Sequence, residues 1–338
     1  MLRTTLLLTL IITLWPSAAD ADEAFRQALR AQNAHHLRAN PTVSAERGAK
    51  QEALVFIERV SGTGITLAND GGSKTFRDGD ISVTVTRSVS RHPASAKGRV
   101  HENLSTKLTL SVFVAGQKAL SFEYGEMVSD FPSYRLKFAE MDPGNVHKEI
   151  LFMSWTGGAH CCWDTKILTS SQVGQRWNVV DVAAFDGDDV PVRDLDGDGR
   201  SEIAVTDKTF NYAFDSYAGS WPPRQVLRLD GGKIVDASRE PRYRAFHVAG
   251  IRRMAELGFP RKGFLSGYVA QKTLLGEGGE AWDLMLSHRD QVPRWEDEKC
   301  LPEGQQDRNS QVEKVPCSFP KALRQFLELH GYAVPDPL

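Results

Sequence analysis

From about Leu54 the chain alternates apolar and polar residues. The stretches "LVFIERV", "ISVTVTRSVS", "KLTLSVFVAG" and "KALSFEYG" set β-branched and aromatic side chains at near-alternate positions, with Gly, Asn, Asp and Pro clusters between them. A period of two sends neighbouring side chains to opposite faces, so these runs predict antiparallel strands and hairpins. The pattern continues through "YRLKFAEMD", "EILFMSWTGG", "TKILTSSQ", "RWNVVDVAAF" and "EIAVTD". Regularly spaced turn signals between short strands predict a mainly β fold, an antiparallel sandwich or a partial propeller-like array.

After Asp236 the period changes. "AFHVAGIRRMAELG", "FLSGYVAQKTLL", "EAWDLMLSHR" and "FPKALRQFLELHG" place apolar residues three and four apart, as at Leu323, Phe326 and Leu327, which predicts a C-terminal α-helical region. Gly258 and Gly331 suit helix C-terminal caps, with Pro260 and Pro335 beyond them. The expected organisation is a β domain over 51–236 and a helical region over 237–338. Residues 22–50, rich in Ala, Arg, Gln and Asn, read as a helical or flexible leader whose His35 and His36 are expected to be solvated.

The first residues alter the setting. Arg3 precedes "LLLTLIITLW", Pro16 breaks the run, and Ala19 and Ala21 offer small residues to a processing protease, so residues 1–21 predict a secretory signal peptide cut after Ala21. The run is shorter than the roughly 20 residues needed to span a bilayer. The mature chain is therefore expected to be exported, periplasmic or secreted, with no membrane span after signal removal. Its 41 basic and 43 acidic residues nearly cancel, with no long block of one sign, which implies neither a nucleic-acid nor an anionic-membrane partner.

Export makes disulfides the expected state of Cys161, Cys162, Cys300 and Cys317. Joining Cys300 to Cys317 closes a polar loop and is the preferred bridge. The adjacent pair leaves alternatives open. A Cys161–Cys162 bond is strained, because neighbouring Cα atoms lie closer than an ordinary disulfide prefers. Alternatively, the two cysteines reach Cys300 and Cys317 separately, or His160, Cys161 and Cys162 form a thiol or soft-metal site.

The most defined chemistry lies in "DLDGDGRSE", residues 194–202. Acids at alternate positions in a tight turn can wrap a hard dication that wants six to eight oxygens. Asp194, Asp196 and Asp198 would supply side chains, Arg200 its carbonyl with the guanidinium turned away, and Glu202 the closing carboxylate. Counting Asp194 as the first position, the twelfth is Val205 and the exit reads as a strand, which excludes an EF-hand. The stretch instead resembles the calcium loops of FG-GAP and VCBS repeats, the integrin-type propeller modules. That resemblance implies Ca2+, held by Asp194, Asp196, Asp198, Arg200 and Glu202. A fainter echo, "EMDPGNVHKEILF", keeps Asp142 and Glu149 but carries Pro143 and Gly144 in place of the alternating acids, and is expected to be metal-free. Together, "SWTGGAHCCW", the acidic loop and "NYAFDSYAGSWPPRQVLRLDGGKIVD" are similar to a group of exported bacterial proteins carrying a TGGAHCC element. That similarity implies export, β architecture and calcium, and names no substrate.

Catalytic signatures are absent: there is no H-E-x-x-H, G-x-S-x-G or P-loop, and "GFLSG" misplaces Ser266 for a nucleophile elbow. Tyr212, Tyr217 and Trp221, near Asp207 and Asp215, form a candidate ligand surface, with a packed β corner as the plainer reading. The leading expectation is an exported, calcium-stabilised binding or scaffolding protein whose partner is a glycan, a peptide or an envelope protein. The alternatives are a hydrolase acting on glycan or peptidoglycan and a thiol or soft-metal protein using His160, Cys161 and Cys162.

Overall fold

The computed structural model describes residues 18–38, 63–65, 72–92, 103–127, 134–156, 161–186, 190–289, 298–302 and 313–333. The "LVFIERV" run and residues 1–17 of the apolar leader lie outside them. The fold is mainly antiparallel β with a C-terminal helical region, and among the described residues no sheet closes into a barrel.

Three sheets stack face to face. The first is a meander of β2 (Gly72–Asp78), β3 (Ile81–His92), β4 (Asn103–Val114) and β5 (Gln117–Met127). The second runs β1 (Thr63–Ile65), β6 (Tyr134–Ala139), β7 (Glu149–Trp155), β8 (Cys161–Ser170) and β9 (Trp177–Asp186) in that order. The third holds β10 (Val192–Arg193), β11 (Glu202–Thr206), β12 (Arg224–Asp230) and β13 (Lys233–Asp236). A short hairpin of β14 (Lys299–Cys300) and β15 (Val315–Pro316) stands apart.

The alternation decides which residues meet. Val83 and Val85 pair with Val112 and Leu110, and this row packs on Leu136, Phe152 and Trp177 of the second sheet. The other face of the second sheet, through Leu151, Met153, Ile167 and Phe185, meets Ile203, Val205, Leu227 and Leu229 of the third. A sheet buried on both faces has no reason to alternate. Hence Ile150, Leu151, Phe152 and Met153 are all fully buried in one unbroken apolar run. The reverse of the third sheet, Ala204 and Val226, packs on Tyr243 and Phe246 at the start of the helical region.

That region comprises α3 (Arg244–Leu257), α4 (Lys262–Thr273), α5 (Gly278–His288) and α6 (Phe319–Leu329), joined at the amino end by α1 (Ala18–Gln32) and α2 (Ala34–Arg38). The central α4 is buried at every residue from Lys262 to Lys272. Its Gly263 and Gly267 lie one above the other on a face four residues apart. A Cβ on Gly267 would fall 1.6 Å from the Trp221 carbonyl oxygen, and one on Gly263 2.4 Å from that of Gly219. The "GFLSG" stretch is thus a close-packing face. Gly331 caps α6 at φ +72, with the Tyr332 amide donating to the Leu327 carbonyl. Gly258 caps α3 as expected, its amide donating to the Met254 carbonyl at 2.8 Å, but not in the left-handed conformation. Its φ is −63, and what demands glycine is the Phe264 ring, 2.4 Å from where a Cβ would stand.

The leader corrects one expectation. Phe25 and Leu29 of α1 are fully buried in the same core as Phe264, Leu265, Met285 and Leu323. His36 is not solvated: it is 4% exposed, with Nε2 2.7 Å from Glu277 Oε2. The reason is that Glu277 gathers donors, taking Lys272 Nζ at 2.5 Å and Arg244 Nη2 at 2.9 Å as well. His35 stays exposed. Among the described residues no helix is long and apolar enough to cross a membrane.

Candidate metal centre

Arg193 and Glu202 pair at the neck of the β10–β11 hairpin, so residues 194–201 form its turn. Gly197 and Gly199 take left-handed φ values of 84 and 86, which turns the backbone amides inward. Asp194 accepts from the amides of Gly197 at 2.7 Å and Gly199 at 2.8 Å, and these hydrogen bonds, Gly199 foremost, hold its carboxyl below the ordinary range. Asp196 accepts from the Asp198 amide at 3.2 Å, and Asp198 from the Arg200 amide at 2.9 Å. The turn is shaped by its own acids.

Glu202 differs from them because it is fully buried. Its Oε2 accepts from the Leu195 amide at 2.9 Å, whereas its Oε1 is shielded from solvent and has no hydrogen-bond partner. Burial first of all, and then the Asp196 charge, push the carboxyl above its usual range, against the Leu195 amide. Oxygens of Asp194, Asp196 and Glu202 lie within 4.8 Å of one another. A dication bonded at 2.3 to 2.6 Å places its ligands on a sphere about 5 Å across, so these three carboxylates fit one ion. Asp198 is not in this convergent group. The Arg200 guanidinium points away, as expected, and donates from Nε to the Met141 carbonyl at 2.6 Å.

A second turn of the same design lies alongside. Ala139 and Glu149 pair at the neck of β6 and β7, and Glu149 Oε2 accepts from the Met141 amide at 2.8 Å as Glu202 does from Leu195. Glu149 is also fully buried. Its Oε1, however, accepts from Asn145 Nδ2 at 2.5 Å and the Thr169 hydroxyl at 2.9 Å. The two turns are joined, since the Ser201 amide donates to the Glu140 carbonyl at 2.6 Å. Side by side, one buried glutamate is saturated by protein donors, and the other keeps an oxygen without a donor while its carboxylate converges with two aspartates.

Cationic help at the acidic turn comes from outside it. Arg242 Nη1 stands 3.5 Å from Asp196 and 3.3 Å from Asp198, and its Nε is 3.1 Å from Glu240. Tyr243 is buried beside Glu202, and burial, then the Glu202 charge, push its hydroxyl up to about 12. That hydroxyl stands near both Glu202 and the Arg228 guanidinium, close enough for each to act on it, without reaching hydrogen-bond geometry to either. Arg242, Tyr243, Asn145 and Thr169 carried no signal in the sequence, because each reaches its turn from another part of the chain or from a motif lacking acids.

The remaining candidates resolve differently. His35, His36 and Glu277 also converge, but Lys272 and Arg244 already hold Glu277 and bring it down to about 2 against the opposing effect of burial. Two cations there disfavour a third. Cys300 and Cys317 are bridged with Cα atoms 5.8 Å apart, which excludes their pairing with Cys161 and Cys162. Cys162 is itself disulfide-bonded and offers no thiolate to a soft metal; His160 and the Cys161 side chain lie outside the described residues. The Tyr212 and Tyr217 rings lie 5.7 Å apart, tilted by 39°. Trp221 instead packs among Phe259 and Phe264 at 5.8 and 5.2 Å. Asp207 caps a 3-10 turn through Thr209 and accepts from the Tyr332 hydroxyl at 2.8 Å, while buried Asp215 accepts from the Ser216 amide at 2.8 Å. Both acids are engaged in structural hydrogen bonds.

Residues 245–331, spanning most of α3 through α6, match the family model of the sll0997 C-terminal domain. The chain is similar to the "Probable thylakoid lumen protein sll0997" of Synechocystis sp., 39% identical over 212 residues, covering 60% of this chain and 62% of that protein. It is also similar to the "Uncharacterized protein y4bJ" of Sinorhizobium fredii, 32% identical over 220 residues, covering 62% of this chain and 34% of that protein. The chain therefore spans less than two thirds of either relative. No solved structure matches.

Proposed function

We propose that the protein is an exported, calcium-stabilised binding or scaffolding protein, in which a dication at the 194–202 turn ties the third sheet to the start of the helical region. One observation carries this reading: Glu202, a residue whose Oε1 is buried without a hydrogen-bond partner, converges with Asp194 and Asp196, while the matching oxygen of Glu149 is met by Asn145 and Thr169. A buried anionic oxygen left open is costly, and a cation removes that cost. The donor set is all oxygen and rich in carboxylate, which suits calcium better than magnesium. The FG-GAP-like and VCBS-like spacing supports the same ion. Export is supported by the apolar leader and by the lumenal name of the Synechocystis relative.

Thermal melting across a calcium titration tests the proposal. At 100 times the dissociation constant, binding confined to the native state adds about 2.7 kcal/mol, and Asp196→Ala removes most of that gain. A melting temperature indifferent to calcium and to chelator overturns it.

A further inference from the structure

Away from the acidic turn, a cavity of about 390 Å³ opens where three segments meet: the Tyr212–Phe214 loop, the disulfide-closed hairpin and α6. We propose that this cavity binds a small amphipathic anion, an apolar chain or ring carrying a single carboxylate, sulfonate or phosphate. Its size falls in the range of roughly 300 to 1,000 Å³ typical of small-molecule sites.

The lining divides by chemistry. Phe214, Phe326, Ala322 and Leu329 are apolar wall, and Phe214 and Phe326 are locked edge to face at 5.2 Å. Among the described residues the charged lining side chains are Glu298, Lys299 and Lys314. Glu298 is neutralised by an ion pair with the buried Lys262. Lys299 and Lys314 are exposed and form no ion pair among the described residues. The described lining is therefore an apolar pocket with a positive edge at Lys299 and Lys314, complementary to a molecule that is greasy at one end and anionic at the other.

The walls are built to hold this shape. Cys300–Cys317 closes the hairpin, and Gln325 of α6 clasps it by accepting from the Leu301 amide at 2.8 Å and donating to the Leu301 carbonyl at 3.0 Å. Tyr212 is held at φ +62, a left-handed conformation unfavourable for a bulky residue, by its amide donating to Ser220 Oγ at 3.1 Å. Yet 61% of Tyr212 remains exposed, so core burial gives no return on that strain. Strain at an exposed aromatic beside a cavity fits a side chain positioned to cover a ligand. None of the lining residues belongs to the 194–202 turn, so the proposal stands or falls independently of the cation.

Isothermal titration of the full chain with dodecanoate, and with dodecyltrimethylammonium as the cationic counterpart, tests the assignment. Dodecanoate is expected to bind and the ammonium compound to bind at least roughly tenfold more weakly, with Lys299→Glu combined with Lys314→Glu erasing that preference. Ala213→Trp, which fills the cavity from an exposed position, is expected to abolish binding. Tyr212→Gly relieves the backbone strain, so it is expected to hold or raise the melting temperature while weakening dodecanoate several-fold. No dodecanoate binding up to about 1 mM, equal binding of both amphiphiles, or an Ala213→Trp variant that binds as well as the parent would overturn the proposal.

Discussion

Glu202→Gln separates a cation site from a merely acidic turn, because the two readings assign opposite signs to its effect. Oxygens of Asp196 and Glu202 approach within 4.8 Å, and both side chains are largely shielded, Asp196 being 9% exposed and Glu202 fully buried. Two unit charges at that distance repel by about 3.5 kcal/mol at an effective dielectric near 20. Arg242, at 3.5 Å from Asp196, and nearby water reduce this to about 1 to 2 kcal/mol. Glutamine keeps an oxygen for the Leu195 amide and turns an NH2 group toward Asp196, the role Asn145 fills for Glu149. In chelator the variant is therefore expected to be more stable than the parent by about 1 to 2 kcal/mol. In calcium at 100 times the dissociation constant the parent gains about 2.7 kcal/mol and the variant almost nothing, so the order of stability reverses. Urea unfolding midpoints in chelator and in calcium measure both. A variant less stable than the parent in chelator, or one that keeps the calcium gain, refutes the reasoning.

The twin turn supplies a control. Glu149→Gln leaves the Asn145 amide and the Thr169 hydroxyl facing a donor, and is expected to cost about 2 to 4 kcal/mol equally with and without calcium. Acid sensitivity should come in part from His247, where burial lowers the imidazole to about 4 between the Ser238 carbonyl and Gln271. The unfolded chain takes up this proton near 6.5 and the folded chain only near 4, so stability falls as pH drops through that window, by up to about 3 kcal/mol. His247→Gln keeps both hydrogen-bonding roles and should flatten the slope in urea midpoints measured from pH 7 to 4. Gly267→Ala drives a Cβ to 1.6 Å from the Trp221 carbonyl oxygen and is expected to cost about 3 kcal/mol or more in the same assay.

Elements buried on one face announce themselves in sequence. The alternation of β3 and β4 and the stripe of α6 are direct images of their packing, with Leu323 and Leu327 fully buried. β12, "RQVLRLD", was obscured because a buried arginine sits where an apolar residue is expected. Arg224 is 6% exposed, donates to the Phe246 carbonyl at 2.7 Å and lies 4.7 Å over the Phe246 ring. The leader was obscured for another reason. Phe25 and Leu29 give α1 an apolar edge, but nothing in local sequence says that its partners are Phe264 and Met285, or that His36 will meet a glutamate 241 residues away.

The acidic turn shows where sequence reasoning about a site reaches its limit. Alternating acids identify a turn rich in oxygen ligands, and the echo at Glu149 is visible as an internal repeat. What decides whether either glutamate needs a cation is the presence of donors, and those arrive from elsewhere in the fold: Thr169 from the end of β8 and Asn145 from within a turn that lacks the alternating acids. Removing both donors would give Glu149 the same unmet oxygen as Glu202 without by itself creating a second cation site, because Glu140 and Asp142, which flank Met141 as Asp194 and Asp196 flank Leu195, do not converge with Glu149 among the described residues. A cation site in this fold thus requires both conditions at once, a buried carboxylate that the protein does not saturate and neighbouring acids that converge on the same point. Among the described residues only the 194–202 turn combines an unsatisfied buried glutamate with converging aspartates.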